Sequence, residues 1–320
     1  MIKAIALFSG GLDSAISIKL MQEQNIEVEA IYVDIGFESN KNKIEELKKL
    51  ADELNVKFTS IDVKEKYIQD ILFTPVYGYG KNFNPCIDCH ANMIRVAKEY
   101  MKKVDAKFII SGEVLNQRPM SQRLPAINAV NKLANAQNIV LRPLSAKLLP
   151  PTLPEIKGWV DREKLLAING RDRKIQLELA KKYNLEHFES PSGGCLLTDI
   201  NFSKRLKDYS KYLTLTKDEI DILKVGRHFN VDGIKIIISR NKDENPYLKE
   251  YKGDKFYKMF PDNFKGPIGL IQKEANEEIK KLAADMLISY TKKDNGFVII
   301  DNKKYQAQKK DKKEFAKYLI

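Results

Sequence analysis

The first twenty-two residues, Met1 to Gln22 (MIKAIALFSGGLDSAISIKLMQ), limit what this chain can fold into more than any other stretch. An apolar run from Ile2 to Phe8 breaks into Ser9-Gly10-Gly11-Leu12-Asp13-Ser14. Apolar residues then resume at helical spacing through Ala15, Ile18 and Leu20. This is the pattern of a short buried strand, a tight turn and a helix. Two adjacent glycines let backbone N–H groups approach a ligand closely. With the positive end of the following helix dipole they make an anion site, to which Ser9 and Ser14 add hydroxyl donors. The Asp13 carboxylate is out of place beside an anion unless a metal bridges the two, which points to a nucleotide carried with Mg²⁺ rather than a bare phosphate. The loop is not of the Walker type, because no Gly-Lys-Ser/Thr follows.

Beyond this stretch, strands and helices alternate. Val28 to Asp34 and Val56 to Val63 read as strands flanking an amphipathic helix, Asn40 to Leu54. Phe108 to Ile110 and Ile139 to Leu144 read as further short strands. Alternation of this kind implies βαβ units, so the expected fold is α/β with a doubly wound parallel sheet. Ligands of such sheets sit at the carboxyl ends of the strands, where Val33, Asp34 and Gly112 fall. Asp34 could face an adenosine or cap the next loop. Asn116 to Arg123 is polar and basic with a proline, and reads as a substrate-facing loop. Trp159 to Ala167 and Asp172 to Tyr183 are expected to be helical.

The three cysteines each follow a turn rich in proline or glycine. Cys86 and Cys89 come after the loop TPVYGYGKNFNP and lead into the helical pattern Ala91 to Lys103, so both are expected at a helix N-terminus, which favours thiolate. Cys195 ends the turn Ser190-Pro191-Ser192-Gly193-Gly194. Three cysteines are too few for a disulfide framework. Four uses remain open: a zinc site, a persulfide and disulfide relay, a 4Fe–4S cluster with one open iron, or inert buried thiols. His90 abuts Cys89 and is badly placed to complete a zinc site with it.

The net charge of +12 is uneven. Residues 201–320 hold 27 Lys and Arg against 18 Asp and Glu, whereas residues 1–200 hold 28 against 25. A basic α+β module therefore follows a nearly neutral one, with the boundary expected near residue 203 (domains 1–203 and 204–320). Such a module suits a polyanion, most simply nucleic acid. No window of about 18 apolar residues occurs, and no signal-peptide pattern precedes the first strand. A cytoplasmic location is the expectation.

The loop Ser9-Gly10-Gly11-x-Asp13-Ser14 resembles that of the PP-loop ATP pyrophosphatases, whose fold is adenine nucleotide α-hydrolase-like. Those enzymes cleave ATP between its α and β phosphates and adenylate an oxygen of a second substrate. With Asn84-Pro85-Cys86-x-x-Cys89 and Gly193-Gly194-Cys195 the first 200 residues are similar to the tRNA thiolation branch: the 2-thiouridylases and the iron–sulfur-dependent thiouridine synthetases. The resemblance implies that Ser9, Gly10, Gly11, Asp13 and Ser14 bind ATP and Mg²⁺ and that Val33 and Gly112 touch the adenosine. It implies that Cys86, Cys89 and Cys195 handle sulfur, as ligands of a 4Fe–4S cluster or as a cluster-free persulfide relay. The expected partners are tRNA or another structured RNA and a sulfur donor, either sulfide or a cysteine desulfurase. The basic module is similar to the small RNA-binding domain of ribosome-quality-control factors. The chain departs from the thiolation enzymes in lacking a THUMP-like module, a rhodanese-like tail and the usual C-terminal β-barrel. An ATP-dependent amidating enzyme and a non-catalytic RNA-binding protein are the alternatives. The cysteine trio speaks against the first and the intact loop against the second.

Overall fold

A computed structural model describes residues 2–189 and 194–320. The chain divides into two compact units, Met1–Cys195 and Leu196–Ile320. Of the turn expected over residues 190–195, residues 190–193 lie outside the described residues, and Gly194 and Cys195 are described.

In the first unit β1 (Lys3–Leu7) leads through the Ser-Gly-Gly turn into α1 (Leu12–Gln22). Then come β2 (Glu27–Asp34), α2 (Lys43–Glu53), β3 (Lys57–Asp62), the short α3 (Lys64–Tyr67), α4 (Cys86–Lys103), β4 (Phe108–Ser111), α5 (Leu124–Leu133) and β5 (Val140–Leu141). The one-turn α6 (Leu153–Ile156) and α7 (Lys174–Lys182) complete it. The strands are all parallel and ordered β3-β2-β1-β4-β5. α1 packs with α7 and α4 with α5, and α1 and α4 both lie on β1, so the sheet is covered on both faces. That explains why β1 and β2 are near-continuous apolar runs rather than alternating ones. The strand order turns around between β1 and β4. The crevice of a doubly wound sheet opens at such a reversal, and here it opens where the Ser-Gly-Gly turn and Gly112 leave their strands.

The expected helix over Trp159 to Ala167 is not formed; only a 3₁₀ turn, Arg162–Lys164, appears there. Leu166 N and Ile168 N instead donate to Pro143 O and Leu144 O. The segment is recruited as an extended partner of the chain leaving β5, and its apolar residues reach the core that way.

The second unit opens with α8 (Ile200–Tyr212) and α9 (Lys217–Lys224). The boundary expected near residue 203 falls inside α8 and moves to Cys195/Leu196. The reason is local: Asp199 caps α8 by accepting from Phe202 N at 2.7 Å, and Ser203 Oγ donates to Leu197 O. Six antiparallel strands follow in the order β11-β10-β8-β9-β7-β6. They are β6 (Arg227–Val231), β7 (Ile234–Ile238), β8 (Phe256–Pro261), β9 (Gly269–Gln272), β10 (Asn295–Ile300) and β11 (Lys303–Gln308). The short α10 (Asn245–Lys249) lies between β7 and β8. α11 (Glu277–Ser289) covers the sheet, burying Ala283, Leu287 and Ile288 against Phe229, Ile236, Val298 and Tyr305. Along β11, Tyr305 and Ala307 point inward while Lys303, Lys304, Gln306 and Gln308 are exposed. The lysines of β11 thus lie on the solvent face of a half-buried sheet.

His228 on β6 is buried, and its Nε2 lies 2.8 Å from Val225 O. Burial, helped by the charges of Arg205 and Arg240, lowers its pKa to about 3. The folded pKa lies below the ordinary 6.5. The neutral ring's contribution is therefore fully present above that value and is lost as pH falls towards 3. Urea titrations should find this unit about 2 kcal/mol less stable at about pH 5 than at about pH 8. A pH-independent stability over that range would contradict the burial of an uncharged ring. No helix among the described residues is long and apolar enough to cross a membrane.

Candidate functional site

The Ser-Gly-Gly turn follows β1 at the carboxyl edge of the sheet. Gly10 has φ +79°, the left-handed region, and a Cβ there would lie 2.7 Å from Leu47 Cδ2. Gly11 is the N-cap of α1 and supplies no side-chain cap, so the first amides of the helix are left to a ligand. Ser14 Oγ turns inward and donates to Gly11 O at 2.7 Å, stiffening the turn. Ser9 Oγ lies 3.5 Å from Gly11 N. Two residues missed in the sequence hold the loop from outside. Lys43, at the start of α2, donates to Ser9 O at 2.5 Å and pairs with Glu189 at 2.7 Å. Glu189 N in turn donates to Gly10 O. Nothing in spacing links these positions.

Asp13 Oδ2 accepts from Gln117 Nε2 at 3.1 Å, while the other oxygen, Oδ1, is buried without a partner. A buried carboxylate oxygen with nothing to accept is what a Mg²⁺ ligand looks like without its ion, so the residues fit the metal. Gln117 brings the expected substrate-facing loop onto the turn. Gly112, just beyond β4, presses its bare Cα against the first turn of α1. A Cβ there would lie 2.7 Å from Ser14 N and 2.9 Å from Asp13 C. Val33 is buried at the end of β2. Asp34 takes the capping role: it accepts from Gly36 N at 2.8 Å and pairs with Lys64 at 2.6 Å.

The cysteines gather on the same edge of the sheet. α4 begins at Cys86 itself, so Cys86 and Cys89 lie in its first turn rather than before it. Cys195 is held through a β-bridge to Glu38 in the loop after β2, and Ser39 N donates to Gly194 O. Tyr67, at the end of α3, feels all three sulfurs: burial first, then Cys89, Cys195 and Cys86, drive its hydroxyl pKa upward. None of the three is in a disulfide.

Their electrostatics differ, against the expectation that both helix cysteines are thiolates. Burial acts to raise the Cys86 pKa, but His90, Ser121 and Asn84 outweigh it and hold it below the ordinary thiol value. Asn84 Nδ2 donates to Cys86 Sγ at 3.6 Å. The Cys89 thiol is pushed well up, by burial first and then by the neighbouring sulfurs. The helix terminus cannot offset the loss of water at Cys89. Cys86 heads a relay that runs from the half-buried Cys86 and His90 to the buried Glu113 and Arg142. His90 Nδ1 lies 2.9 Å from Glu113 Oε1, and Glu113 Oε2 accepts from Arg142 Nε at 2.8 Å and Ser111 Oγ at 3.1 Å. Burial opposes the charge on His90, yet Cys86 and Glu113 raise its pKa to about 10. Burial likewise opposes ionised Glu113, yet Arg142 and His90 bring it to about 2. The sequence singled out Gly112 but not its neighbour Glu113, and placed Arg142 only in a strand. The relay depends on β4 and β5 being adjacent.

Among the described residues no group of three or more His, Cys, Asp or Glu is arranged to share one metal ion. A four-iron cluster takes one thiolate at each of three corners, so its cysteines need not converge on a point. Cys86, Cys89 and Cys195 all act on the Tyr67 hydroxyl, and cysteine sulfurs are the donor type that such a cluster takes, so the donor set has the right chemistry for a 4Fe–4S group.

Residues 2–147 match the family model described as thiamine biosynthesis protein (ThiI), and residues 226–318 match the NFACT protein RNA binding domain. The chain is 25% identical over 213 residues to the tRNA-specific 2-thiouridylase MnmA 2 of Fusobacterium nucleatum, covering 64% of this chain and 58% of that protein. It is 29% identical over 154 residues to a probable tRNA sulfurtransferase of Lysinibacillus sphaericus, covering 44% and 34%. It is also similar to the crystal structure of a 4-thiouridine synthetase–RNA complex with bound ATP, with TM-score 0.44, 17% identity and coverage of 69% and 52%. The chain thus spans less than two thirds of the length of each of these proteins. Its first unit is similar to the ThiI model over residues 2–147 and its second to the NFACT RNA-binding model over residues 226–318.

Proposed function

We propose that the chain is an ATP-dependent RNA sulfurtransferase that adenylates a uridine carbonyl and replaces its oxygen with sulfur. The convergence of Cys86, Cys89 and Cys195 on the sheet edge that carries the PP-loop is the observation that supports it. ATP lies on the amides of Ser9 to Ser14, with Asp13 Oδ1 taking Mg²⁺. The target base leaves its stack to reach the crevice. Its carbonyl oxygen attacks the α-phosphorus, the bond to the bridging oxygen breaks, and pyrophosphate leaves with both electrons of that bond. The amides of the loop stabilise the charge that develops, and a Mg²⁺ held at Asp13 would supply further positive charge there. Sulfide then attacks the activated carbon, and AMP departs with the former carbonyl oxygen. No electron is gained or lost overall. A 4Fe–4S cluster on Cys86, Cys89 and Cys195 would supply a Lewis-acidic iron to hold sulfide beside the base.

A second reading rests on the asymmetry of the thiols. The Cys86 pKa is lowered and the Cys89 pKa raised, which suits a cluster-free relay: one cysteine takes sulfane sulfur from the persulfide of a cysteine desulfurase, a second releases it at the sulfide level by closing a disulfide with the first, and a thiol reductant reopens that disulfide. Anaerobic purification with an iron and sulfide count separates the two. About four irons per chain supports the cluster, and a colourless, iron-free protein supports the relay.

The test of the function itself is to incubate the full chain with ATP, Mg²⁺, sulfide and an unmodified tRNA transcript. Thiouridine in the nuclease digest, with AMP and pyrophosphate formed in equal amounts, is the expected result. ATP cleavage that incorporates ammonia in place of sulfur would move the chain to the amidating class. If the lysine-rich unit grips phosphates, affinity for the transcript should fall roughly tenfold or more between about 50 and 200 mM salt. Filter binding checks this, and a salt-independent affinity would contradict it.

A further inference from the structure

Two loops beside Cys86 display apolar side chains that neither the fold nor the ATP site uses. Val76 is 73% exposed, Tyr77 46% and Met120 48%. Exposure of this kind often marks a floppy loop, but this one is built. Asp88, buried in the first turn of α4, accepts from Val76 N at 2.7 Å and from Tyr77 N at 3.0 Å. Tyr79 Oη donates to Leu72 O at 2.8 Å, and its ring lies on Phe83 with centroids 4.6 Å apart. Gly80 N donates to Asn84 O, and Asn84 is the residue whose amide reaches Cys86 Sγ. The second loop closes onto the first at Gly80, where a Cβ would lie 2.9 Å from Met120 Cε. The backbone presenting these apolar groups is thus anchored to the turn of α4 that carries Cys86, and the exposed Lys81, Arg118 and Arg123 lie in the same two loops.

We infer that Tyr77, with Val76 and Met120, forms a stacking lip that takes the extruded base of an RNA nucleotide and presents it to Cys86. An aromatic ring flanked by cations is how single-stranded nucleic acid is bound: the ring takes the base face and the cations take the flanking phosphates. The same chain carries an RNA-binding domain. The carboxylate that fixes the lip, Asp88, stands between the two cysteines of α4. The backbone that carries the Tyr77 ring is therefore tied to the helical turn that carries both cysteines. The inference rests on the thiolation reading for what happens after the base arrives, not for its capture.

The probe is a tRNA transcript with 5-iodouridine in place of uridine, irradiated with the full chain and mapped by peptide sequencing. Cross-links at Tyr77 or Met120, besides those in residues 226–318, are expected. Tyr77→Ala should lower kcat/KM for thiolation of the unmodified transcript roughly ten- to a hundredfold, and Tyr77→Phe should restore it. Cross-links confined to residues 226–318 would overturn the inference and leave a protein sulfur donor as the occupant of the patch. An unchanged kcat/KM in Tyr77→Ala would also overturn it, while leaving thiolation intact. Cross-links at Tyr77 in a chain that forms no thiouridine would support the lip and sink the thiolation reading instead.

Discussion

Gly112→Ala is expected to reduce pyrophosphate release from ATP about a hundredfold and to lower stability by about 2–3 kcal/mol. The added Cβ would meet Ser14 N, Ser14 Cα and Asp13 C at 2.7–2.9 Å. These are backbone atoms in the first turn of α1, and they cannot rotate aside. Either β4 or α1 must move, and α1 carries the amides and the Asp13 carboxylate that face the phosphates. Gly10→Ala is the informative contrast. Its Cβ would meet Leu47 Cδ2, a side-chain methyl that can shift, although φ +79° strains any side chain there. Its loss of activity should be the smaller of the two. Pyrophosphate release and urea denaturation measure both quantities. Equal activity in Gly112→Ala and the parent would mean that the β4–α1 contact does not position the loop.

Glu113→Ala is expected to destabilise the first unit by about 3–5 kcal/mol, because it leaves the buried Arg142 guanidinium without its carboxylate. Glu113→Gln keeps the shape and should cost less. Both should slow alkylation of Cys86 by iodoacetamide several-fold in the cluster-free protein, since His90 loses the partner that favours its charged form. Cys86 should react faster than Cys89 in the parent chain. The sign with pH follows from the directions. Glu113 is depressed, to about 2, so its contribution is present above the ordinary carboxylate value and is lost as pH falls towards 2. His90 is raised, to about 10, so its contribution is present below its ordinary value and is lost as pH rises through 10. Unfolding and alkylation measured together separate the two roles. A stable Glu113→Ala protein with unchanged Cys86 reactivity would show that the relay has neither role.

Much of the chain was legible before folding. The strand–turn–helix opening was readable because both faces of β1 are covered and its run is uniformly apolar. Its glycines sit where the backbone needs them. The helix over Trp159 to Ala167 was not formed, because local periodicity there serves a backbone pairing with Pro143 and Leu144 that no window of sequence contains. β6, β8 and β11 carry no clear strand signal of their own for a related reason. They are mixed in composition, and only pairing with neighbours makes them strands.

The sequence by itself determined the chemistry available: a phosphate-binding turn with a stray carboxylate, three thiols and a lysine-rich second unit. Those features are carried by residue type and short spacing, and they survive any rearrangement elsewhere. Only the tertiary structure decided how the groups are used. It set Cys86 apart from Cys89, three residues away on the same helix, by giving one an imidazolium and the other a dry wall. It tied His90 to Glu113 and Arg142 across β4 and β5, and Lys43 and Glu189 to the PP-loop. Charge state depends on which atoms lie within a few ångströms and on how much water is excluded. Both are set largely by contacts between residues tens to more than a hundred positions apart, such as His90 with Glu113 and Lys43 with Glu189, even though His90 stands only one helical turn from Cys86.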